Sequence, residues 1–249
     1  AEMSAVPGEV VLWGEDAELG KWLAARGVRT RPFVPGQPTA REVILASGKA
    51  PAPGGAAVFG ELARRIARGS AVVFLDPATL SDGQNATRWA PLKGKGLLAG
   101  INWVGGYYRA DMWAKHHPIF DGLPSGGLLD PTFYREILPQ HALLRCHTVG
   151  RGFTEVEATA ELDQPEEAVC GANRLSATYA SGLHLAVYRL GAGRFILNNL
   201  LVRNNLGQVP AAERLLRNML LFAGRDADQP LAELPGDFAA HLQAIGYEP

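Results

Sequence analysis

The amino-acid sequence predicts an α/β fold built on a doubly wound, mostly parallel sheet with helices on both faces. Short and almost wholly apolar runs, typical of strands buried on both faces, alternate with amphipathic segments of helical period. The chain has 249 residues and is 47% hydrophobic, so it is long enough to bury a large core. We expect one α/β domain over residues 1–224, with an insertion at about 81–140. A C-terminal linker and short helix should follow over residues 225–249.

The first part of the chain follows a β-α-β pattern. Val10–Trp13 is predicted to be a strand, Asp16 is a suitable N-cap, and Gly27 fits the end of the helix before a strand at Val28–Phe33. The apolar run EVILAS predicts another strand. A helix is expected to begin near Ala56, because apolar residues recur there every four positions. It leads to the stretch SAVVFLDP, a buried strand that ends abruptly in Asp-Pro.

Later stretches predict further strands and one long helix. The strands are TEVEATAEL, EAVCGANR and LHLAVYRLGAGRFILNNLL, the last being two strands joined by a turn at residues 191–193. Pro210 suits the start of the helix and Gly224 its end. The apolar side chains that should pack on the sheet are Leu215, Leu216, Met219 and Leu220.

Composition excludes two classes of partner. The 24 basic and 25 acidic residues give a formal net charge of -1, so the chain lacks the basic surface that nucleic-acid binding requires. The start AEMSAVPGEV has neither a basic nor an apolar signal region. No later run approaches the roughly 18 apolar residues that suggest a membrane span. We therefore expect a soluble chain without nucleic-acid or membrane partners.

The sequence predicts no metal site and no cofactor. The six histidines lack the close spacing of a metal-binding pair, and the glycine-rich stretches GKGLLAG and GAGRFI lack the remaining residues of nucleotide-binding fingerprints. The two cysteines, Cys146 and Cys170, are too few for a disulfide framework or a thiolate zinc site. Two buried free thiols are favoured over one disulfide.

The candidate catalytic residue is Asp76, at the end of the predicted strand SAVVFLDP. A strand that runs into a tight turn and a helix is where many α/β enzymes hold a nucleophile. Asp76 could act there as a nucleophile or base, but the position holds neither Ser nor Cys. An Asp-Pro pair more often starts a turn, so a structural role is the favoured interpretation.

Several of these stretches together resemble a known family. They are the early β-α-β units, the segments VVFLDPATL, HHPIFDGLP and GRFILNNLL, and the helix AAERLLRNMLLFAG, which cover most of residues 8–224. The chain resembles class I glutamine amidotransferase-like domains, especially the degenerate versions appended to bacterial glycoside hydrolases of the family 2 and beta-galactosidase type. The resemblance implies a flavodoxin-like sheet. Because amidotransferases carry Cys where this chain has Asp76, it also implies the absence of amidotransferase activity.

Aromatic residues cluster within the insertion. Seven of them fall between positions 103 and 134, namely Trp103, Tyr107, Tyr108, Trp113, Phe120, Phe133 and Tyr134. Trp and Tyr rings suit protein cores, protein interfaces and sugar rings alike. Packing within the chain is favoured for the cluster as a whole. The candidate ligand or interface residues are Trp103, Tyr107, Tyr108 and Trp113.

The sequence favours a non-catalytic accessory domain or subunit of a carbohydrate-active enzyme, with structural or oligomer contacts as its role. An independent enzyme of trehalose-utilisation or hydrolase type and a free-standing sugar-binding module are the alternatives. The expected partners are the catalytic part of a glycoside hydrolase, a second copy of the chain and carbohydrate. Attachment to a glycoside hydrolase implies a periplasmic or secreted location, and an independent enzyme a cytoplasmic one.

Overall fold

The computed structural model describes residues 6, 8–36, 38–52, 54–83, 85–94, 99–100, 110–149, 157–159, 164–175 and 179–247. These residues form twelve strands, in chain order β1 (Val10–Trp13), β2 (Thr30–Pro32), β3 (Val43–Ala46), β4 (Ala71–Phe74), β5 (Ala99–Gly100), β6 (Ala110–Ala114), β7 (Gly127–Leu128), β8 (His141–Val149), β9 (Glu157–Thr159), β10 (Glu167–Leu175), β11 (Tyr179–Leu190) and β12 (Gly193–Asn198). They also form the α-helices α1 (Ala17–Ala24), α2 (Ala56–Ala67), α3 (Pro210–Ala223) and α4 (Phe238–Ala244). None of these helices is long and apolar enough to cross a membrane.

Nine of the strands lie side by side in the order β2-β1-β3-β4-β12-β11-β10-β6-β7. The first five of these are parallel, and the remaining neighbours are antiparallel. β8 pairs with β11 beyond the end of β12, and it is flanked by β5 and β9. The α/β fold is confirmed, but the sheet is mixed: its parallel character is confined to those five strands.

The antiparallel half follows from short connections in the sequence. β11 and β12 are joined by a tight turn at residues 191–192, and so short a loop can join only antiparallel strands. The helix α2 instead carries the chain from β3 to β4, which is the crossover that parallel neighbours require. Strands β6 and β7 arise within the predicted insertion and extend the antiparallel half.

Helices cover both faces of the parallel strands. On one face, α1 and α3 contribute to a core cluster that contains the predicted α3 residues Leu215, Leu216, Met219 and Leu220. On the other face, α2 and α4 contribute to a second cluster that contains Phe59, Leu62, Phe238 and Leu242. Pro210 begins α3 and Gly224 caps its end, as predicted. The sheet is therefore doubly wound around two cores.

The C-terminal segment that follows α3 packs against α2. The Ala232 amide donates a hydrogen bond to the Arg68 carbonyl at 2.9 Å, close to the end of α2. Further along, the Tyr247 hydroxyl donates to the Trp89 carbonyl, and the Tyr247 ring lies 6.0 Å from that of Phe59. The segment thus shares a hydrophobic core with the strands that precede it.

Candidate functional site

The candidate site lies at the carboxyl ends of the parallel strands. In doubly wound sheets, ligands bind outside these ends, where neighbouring strands lead to helices on opposite faces. Here β1 leads to α1 on one face and β3 leads to α2 on the other, so the crevice between β1 and β3 is the expected position. We call this end of the sheet the crest, and it comprises residues 14–16, 47–49, 75–76 and 198–203.

Asp16 is at the centre of the polar contacts of the crest. It accepts a hydrogen bond from the Leu19 amide at 3.0 Å, which caps α1. The Ser47 hydroxyl donates to it at 2.6 Å, and the Arg203 guanidinium donates two bonds at 2.6 and 2.7 Å. Burial by itself raises the pKa of Asp16, but the hydrogen bonds from Arg203, Ser47 and Leu19 outweigh burial and lower the pKa to about 2. The ionised carboxylate therefore binds groups of its own chain.

The backbone closes the crevice between β1 and β3. The Glu15 amide donates to the Lys49 carbonyl at 2.8 Å, which joins the two loops that follow these strands. Two glycines with positive φ permit the approach. A Cβ on Gly14 would lie 2.2 Å from the Ser47 carbonyl oxygen, and one on Gly48 would lie 2.5 Å from the Glu15 carbonyl oxygen. The chain itself thus fills the space that a ligand would occupy at this point.

Asp76 follows β4 at the position where the sequence offers a catalytic group. Its carboxylate accepts a hydrogen bond from the Ala78 amide at 2.8 Å and caps the 3-10 turn Pro77–Leu80. Hydrogen bonds from Arg203 to Asp16 raise the pKa of Arg203, and the nearby charge of Asp76 adds to this effect. These contacts give Asp76 a structural role at the turn, and a catalytic role for it stays a prediction.

Two asparagines at the end of β12 complete the crest, and sequence reasoning missed their role. The Asn198 side chain donates to two carbonyls at 2.9 Å, one of them that of Leu75. The backbone amide of Asn199 donates to the His184 carbonyl at 2.7 Å, and the Asn199 side chain donates to the carbonyl of His141. The pair Asn-Asn directly after an apolar strand was the available signal, because Asn side chains commonly bond nearby backbone groups.

His184 is a buried polar residue beside the crest. It is 0% exposed, and neither ring nitrogen has a hydrogen-bond partner within the described ranges. Burial lowers the pKa of His184 to about 4, so its ring is neutral at physiological pH. The residue sits where the register of β10 and β11 shifts, and such bulges are common beside functional sites. Its unused hydrogen-bonding capacity is a feature of the crest region that favours a ligand.

The structure separates Asp76 from the aromatic candidates. Trp113 is half-buried in β6, directly opposite Gly171 of β10. Three strands, β12, β11 and β10, lie between β4 and β6, so Trp113 and Asp76 belong to different sites. The remaining candidates lie outside the described residues, and they are Trp103, Tyr107 and Tyr108.

Other aromatic residues of the same cluster have a packing role. Phe120 and Tyr134 are each 1% exposed and belong to the core beneath α3. The Tyr134 hydroxyl donates to the Pro124 carbonyl at 2.5 Å, and burial is the main cause that raises the pKa of Tyr134 to about 12. Phe133 is 46% exposed. The cluster is therefore divided between core residues and surface residues.

A cleft of about 390 Å³ lies at the opposite end of the sheet, near the amino ends of β1 and β3. The Arg65 side chain on its wall donates to Glu42 at 2.5 Å and to the carbonyls of Val34 and Gly36 at 2.6 and 2.9 Å. Arg31 also pairs with Glu42. The connection from β2 to β3 contains no helix, and the Arg65 side chain holds it in place through the hydrogen bonds to its carbonyls. The charges of this cleft thus serve the fold.

The described residues give little support for metal binding or for thiol chemistry. Within them, no group of three His, Cys, Asp or Glu side chains could hold a metal ion. Cys170 is a buried free thiol, as predicted, and burial raises its pKa well above the ordinary value. Cys146 lies in β8, and its side chain falls outside the described part.

Comparison with known proteins gives a fold and no family. No protein-family model matches the chain, and no curated protein sequence matches it significantly. A ThuA-like protein from Bacteroides uniformis ATCC 8492 has a similar structure, with a TM-score of 0.52 and 11% identity over 90% of this chain and 94% of that one. At this identity the likeness shows the α/β fold alone.

Two other solved structures match more weakly. The cytoplasmic protein STM3548 from Salmonella typhimurium has a TM-score of 0.44 and 11% identity over 90% of this chain and 99% of that one. The exo-beta-1,4-mannosidase Op5Man5 from Opitutaceae bacterium strain TAV5 has a TM-score of 0.40 and 14% identity over 91% of this chain. The match spans 36% of the mannosidase chain.

Proposed function

We propose that this chain is a non-catalytic, amidotransferase-like accessory domain or subunit of a carbohydrate-active enzyme. The observation that carries the proposal is the closed crest. The crevice between β1 and β3 is bridged by the Glu15–Lys49 hydrogen bond, and the carboxylate beneath it is held by Ser47 and Arg203. An α/β enzyme of this architecture needs open space and an accessible reactive group at this end of the sheet.

The position of Asp76 supports the same interpretation. A nucleophile has to be free to attack, with backbone amides directed at the substrate. Here the carboxylate accepts the Ala78 amide 2.8 Å away, so the turn uses the donor that a substrate oxyanion would need. Asp76 therefore resembles a helix cap more than a nucleophile.

The link to carbohydrate chemistry rests on the resemblance of the sequence to domains appended to glycoside hydrolases. The fold is compatible with that resemblance, because the strand order begins β2-β1-β3-β4 as in flavodoxin-like sheets. The contacts that such an accessory part makes would be structural or oligomeric. The catalytic part of a glycoside hydrolase is accordingly the proposed partner.

A complementation experiment tests this role. Residues 8–247 are deleted from the native gene product, and the purified chain is then added back. We expect the deletion to reduce the assembled fraction in sedimentation, and the added chain to restore it. We also expect the isolated chain to hydrolyse no p-nitrophenyl glycoside. An assembled fraction that is insensitive to the deletion, or turnover by the isolated chain, would contradict the proposal.

One observation favours a second candidate, an independent hydrolase that acts at the crest. His184 is wholly buried beside Asn199, and neither of its ring nitrogens has a partner among the residues that the structure describes. A neutral imidazole with pKa lowered to about 4 could serve as a general base for a substrate that entered there. In that case the isolated chain should show turnover that His184→Gln abolishes.

A further inference from the structure

A row of basic side chains follows the outer face of helix α3. The inner face of the helix packs on the sheet, whereas Arg214, Arg217 and Leu221 are only half-buried. Arg225 is exposed and follows in the 3-10 turn Gly224–Asp226, which continues the helix. With about 3.6 residues per turn, these four positions fall within about 80° of one another around the helix axis. We call the four residues the α3 stripe.

The two arginines on the helix itself, Arg214 and Arg217, have no carboxylate partner in the part of the chain that the structure describes. The single acidic residue of α3, Glu213, pairs instead with Arg26 of α1 at 2.8 Å. Among the described residues, no group accepts a hydrogen bond from either guanidinium, and Nε of Arg217 is shielded from water. Like charges three positions apart on a helix repel each other, and a partly desolvated charge without a counter-ion costs free energy. Both arginines therefore have unused capacity for an anionic group.

Packing within the chain positions the ends of the α3 stripe. The Arg214 guanidinium lies against Gly122, where a Cβ would come within 3.3 Å of its Cζ and of one terminal nitrogen. The Asn218 side chain donates to two backbone carbonyls of the loop that leads to Gly122, both at 3.0 Å, and so fixes this loop on α3. At the other end, the Arg225 guanidinium stacks on the Phe222 ring at 4.5 Å, which leaves the N–H groups at its edge free to donate. Side chains that are already positioned lose less entropy when they bind a partner.

The charge and length of the α3 stripe indicate the kind of partner. Guanidinium groups match carboxylates in charge and geometry. The stripe extends about 16 Å along the helix axis, which is longer than a single oxyanion, and Leu221 adds an apolar contact in its middle. A symmetric pair of stripes from two copies of the chain would bring like charges together. The formal net charge of -1 disfavours nucleic acid. An extended acidic protein segment therefore fits best.

We propose that the α3 stripe is a docking surface for an acidic segment of a partner protein. Carboxylates of this segment pair with Arg214, Arg217 and Arg225, and an apolar side chain between them contacts Leu221. The inference rests on the proposed function for the identity of the partner, which is the catalytic part of the parent enzyme. It deepens that function because it names the surface of the chain that makes the contact and the chemistry of the surface that it meets.

The experiment adds the purified chain to the parent protein that lacks residues 8–247 and measures their association by sedimentation. We expect Arg217→Glu and Arg214→Glu each to weaken association about tenfold, because each replaces an attraction to the partner by a repulsion. Arg217→Lys should retain most of the affinity, since it keeps the charge. Raising the salt concentration from about 0.1 M to about 1 M shortens the screening length from about 10 Å to about 3 Å, so it should weaken the association of the wild-type chain.

A matched variant on the other side of the sheet controls for net charge. Arg64→Glu makes the same change of charge at an exposed position of α2, which covers the opposite face, and it should leave association unchanged. Thermal melting checks that each variant folds. If a glutamate variant does not fold, glutamine at the same position carries the test. Equal association of the folded Arg217 and Arg64 variants, or association that does not respond to salt, overturns the proposal.

The outcomes also separate the α3 stripe from the proposed accessory role. If the wild-type chain restores assembly and Arg217→Glu restores it equally well, the docking surface is rejected and the accessory role is kept. If the wild-type chain does not restore assembly, the accessory role fails, and labelled poly-L-glutamate then tests the stripe on the isolated chain. Binding of this probe that Arg217→Glu abolishes supports the stripe, and its absence rejects it. Self-association of the isolated chain that Arg217→Glu abolishes, or tighter binding of a single-stranded oligonucleotide than of poly-L-glutamate, also rejects the proposal.

Discussion

The polar side chains compared here differ in their partners between the parallel and the antiparallel half of the sheet. In the parallel half, charged groups at both strand ends have partners in the same chain, as in Asp16 with Arg203 at the crest and Glu42 with Arg65 at the amino ends. In the antiparallel half, His184 is buried and its ring nitrogens have no hydrogen-bond partner in the described ranges, and Trp113 is half-buried.

This difference indicates where to look for function. Side chains that are saturated by internal hydrogen bonds stabilise the fold, whereas groups with unused capacity or exposed rings are available to a ligand or partner. Asp16 with Arg203 and Glu42 with Arg65 therefore stabilise the fold of the parallel half. The antiparallel half contains His184, whose two ring nitrogens have no hydrogen-bond partner among the described residues.

The largest expected effect is in the parallel half. Arg65→Ala leaves the buried Glu42 carboxylate with Arg31 alone and two loop carbonyls without their donor, so it should lower the free energy of unfolding by about 3–5 kcal/mol. Denaturant titration measures the loss. Adding Glu42→Gln to Arg65→Ala should recover part of it, because a neutral amide costs less to bury than a carboxylate that has lost one of its two arginine partners.

The neighbouring Arg64 provides the control for that substitution. Arg64 is exposed on α2, so Arg64→Ala should cost below about 1 kcal/mol. Equal losses for the two arginines would show that the buried ion pair does not hold the β2–β3 connection.

The antiparallel half should instead respond to acid through His184. Burial lowers the pKa of His184 from 6.5 to about 4, so the chain takes up a proton when it unfolds at a pH between these two values. The stabilising contribution of His184 is complete above about pH 6.5 and falls by up to about 3 kcal/mol as the pH drops toward 4. His184→Leu should remove this part of the pH dependence, measured by denaturant titration across the range.

His117 contributes to the pH dependence of stability with the same sign, because burial lowers its pKa also. If the His184→Leu variant keeps the whole pH dependence of the free energy of unfolding, His184 has a hydrogen-bond partner in the wild-type chain.

A smaller effect at lower pH should mark the crest. The pKa of Asp16 is lowered from 3.8 to about 2, so its contribution to stability is complete above about pH 4 and is lost as the pH falls toward 2. Because the site is partly open to solvent, we expect about 1–2 kcal/mol. The stability difference between wild type and Asp16→Asn should shrink over this window. A difference that is constant with pH would contradict the Asp16–Arg203 pairing.

The sequence predicted the parallel half better than the antiparallel half. The strands β1, β3 and β4 are apolar throughout, β12 contains the apolar run FIL, and α3 has a clear helical period, so their buried residues could be recognised locally. The strands β6 and β8 contain ADMWA and HALLRCHTV, in which apolar and polar residues follow no simple alternation. They form because residues far along the chain pair with them.

The candidate site was predicted only in part. The Asp-Pro turn at the end of β4 could be recognised from residue preferences. The contacts that close the crest could not, since Asp16 and Arg203 are 187 residues apart in sequence. The opposition of Trp113 and Gly171 could not be predicted either, because only strand register determines it. Trp113 could be chosen as a candidate from its side-chain type, but the residues around it are set by strand pairing between distant parts of the chain.

The central claim, that the crest is structural, is tested most directly by Asp76→Asn in the native gene product. Asparagine caps turns as aspartate does, so the folded variant should melt close to the wild type, and the kcat of the parent assembly should stay within a few-fold. The measurement is kcat at saturating substrate, together with a melting curve of the same sample. A fall in kcat on the order of 10³-fold, with an unchanged melting curve, would contradict the account and place a reactive group at the end of β4.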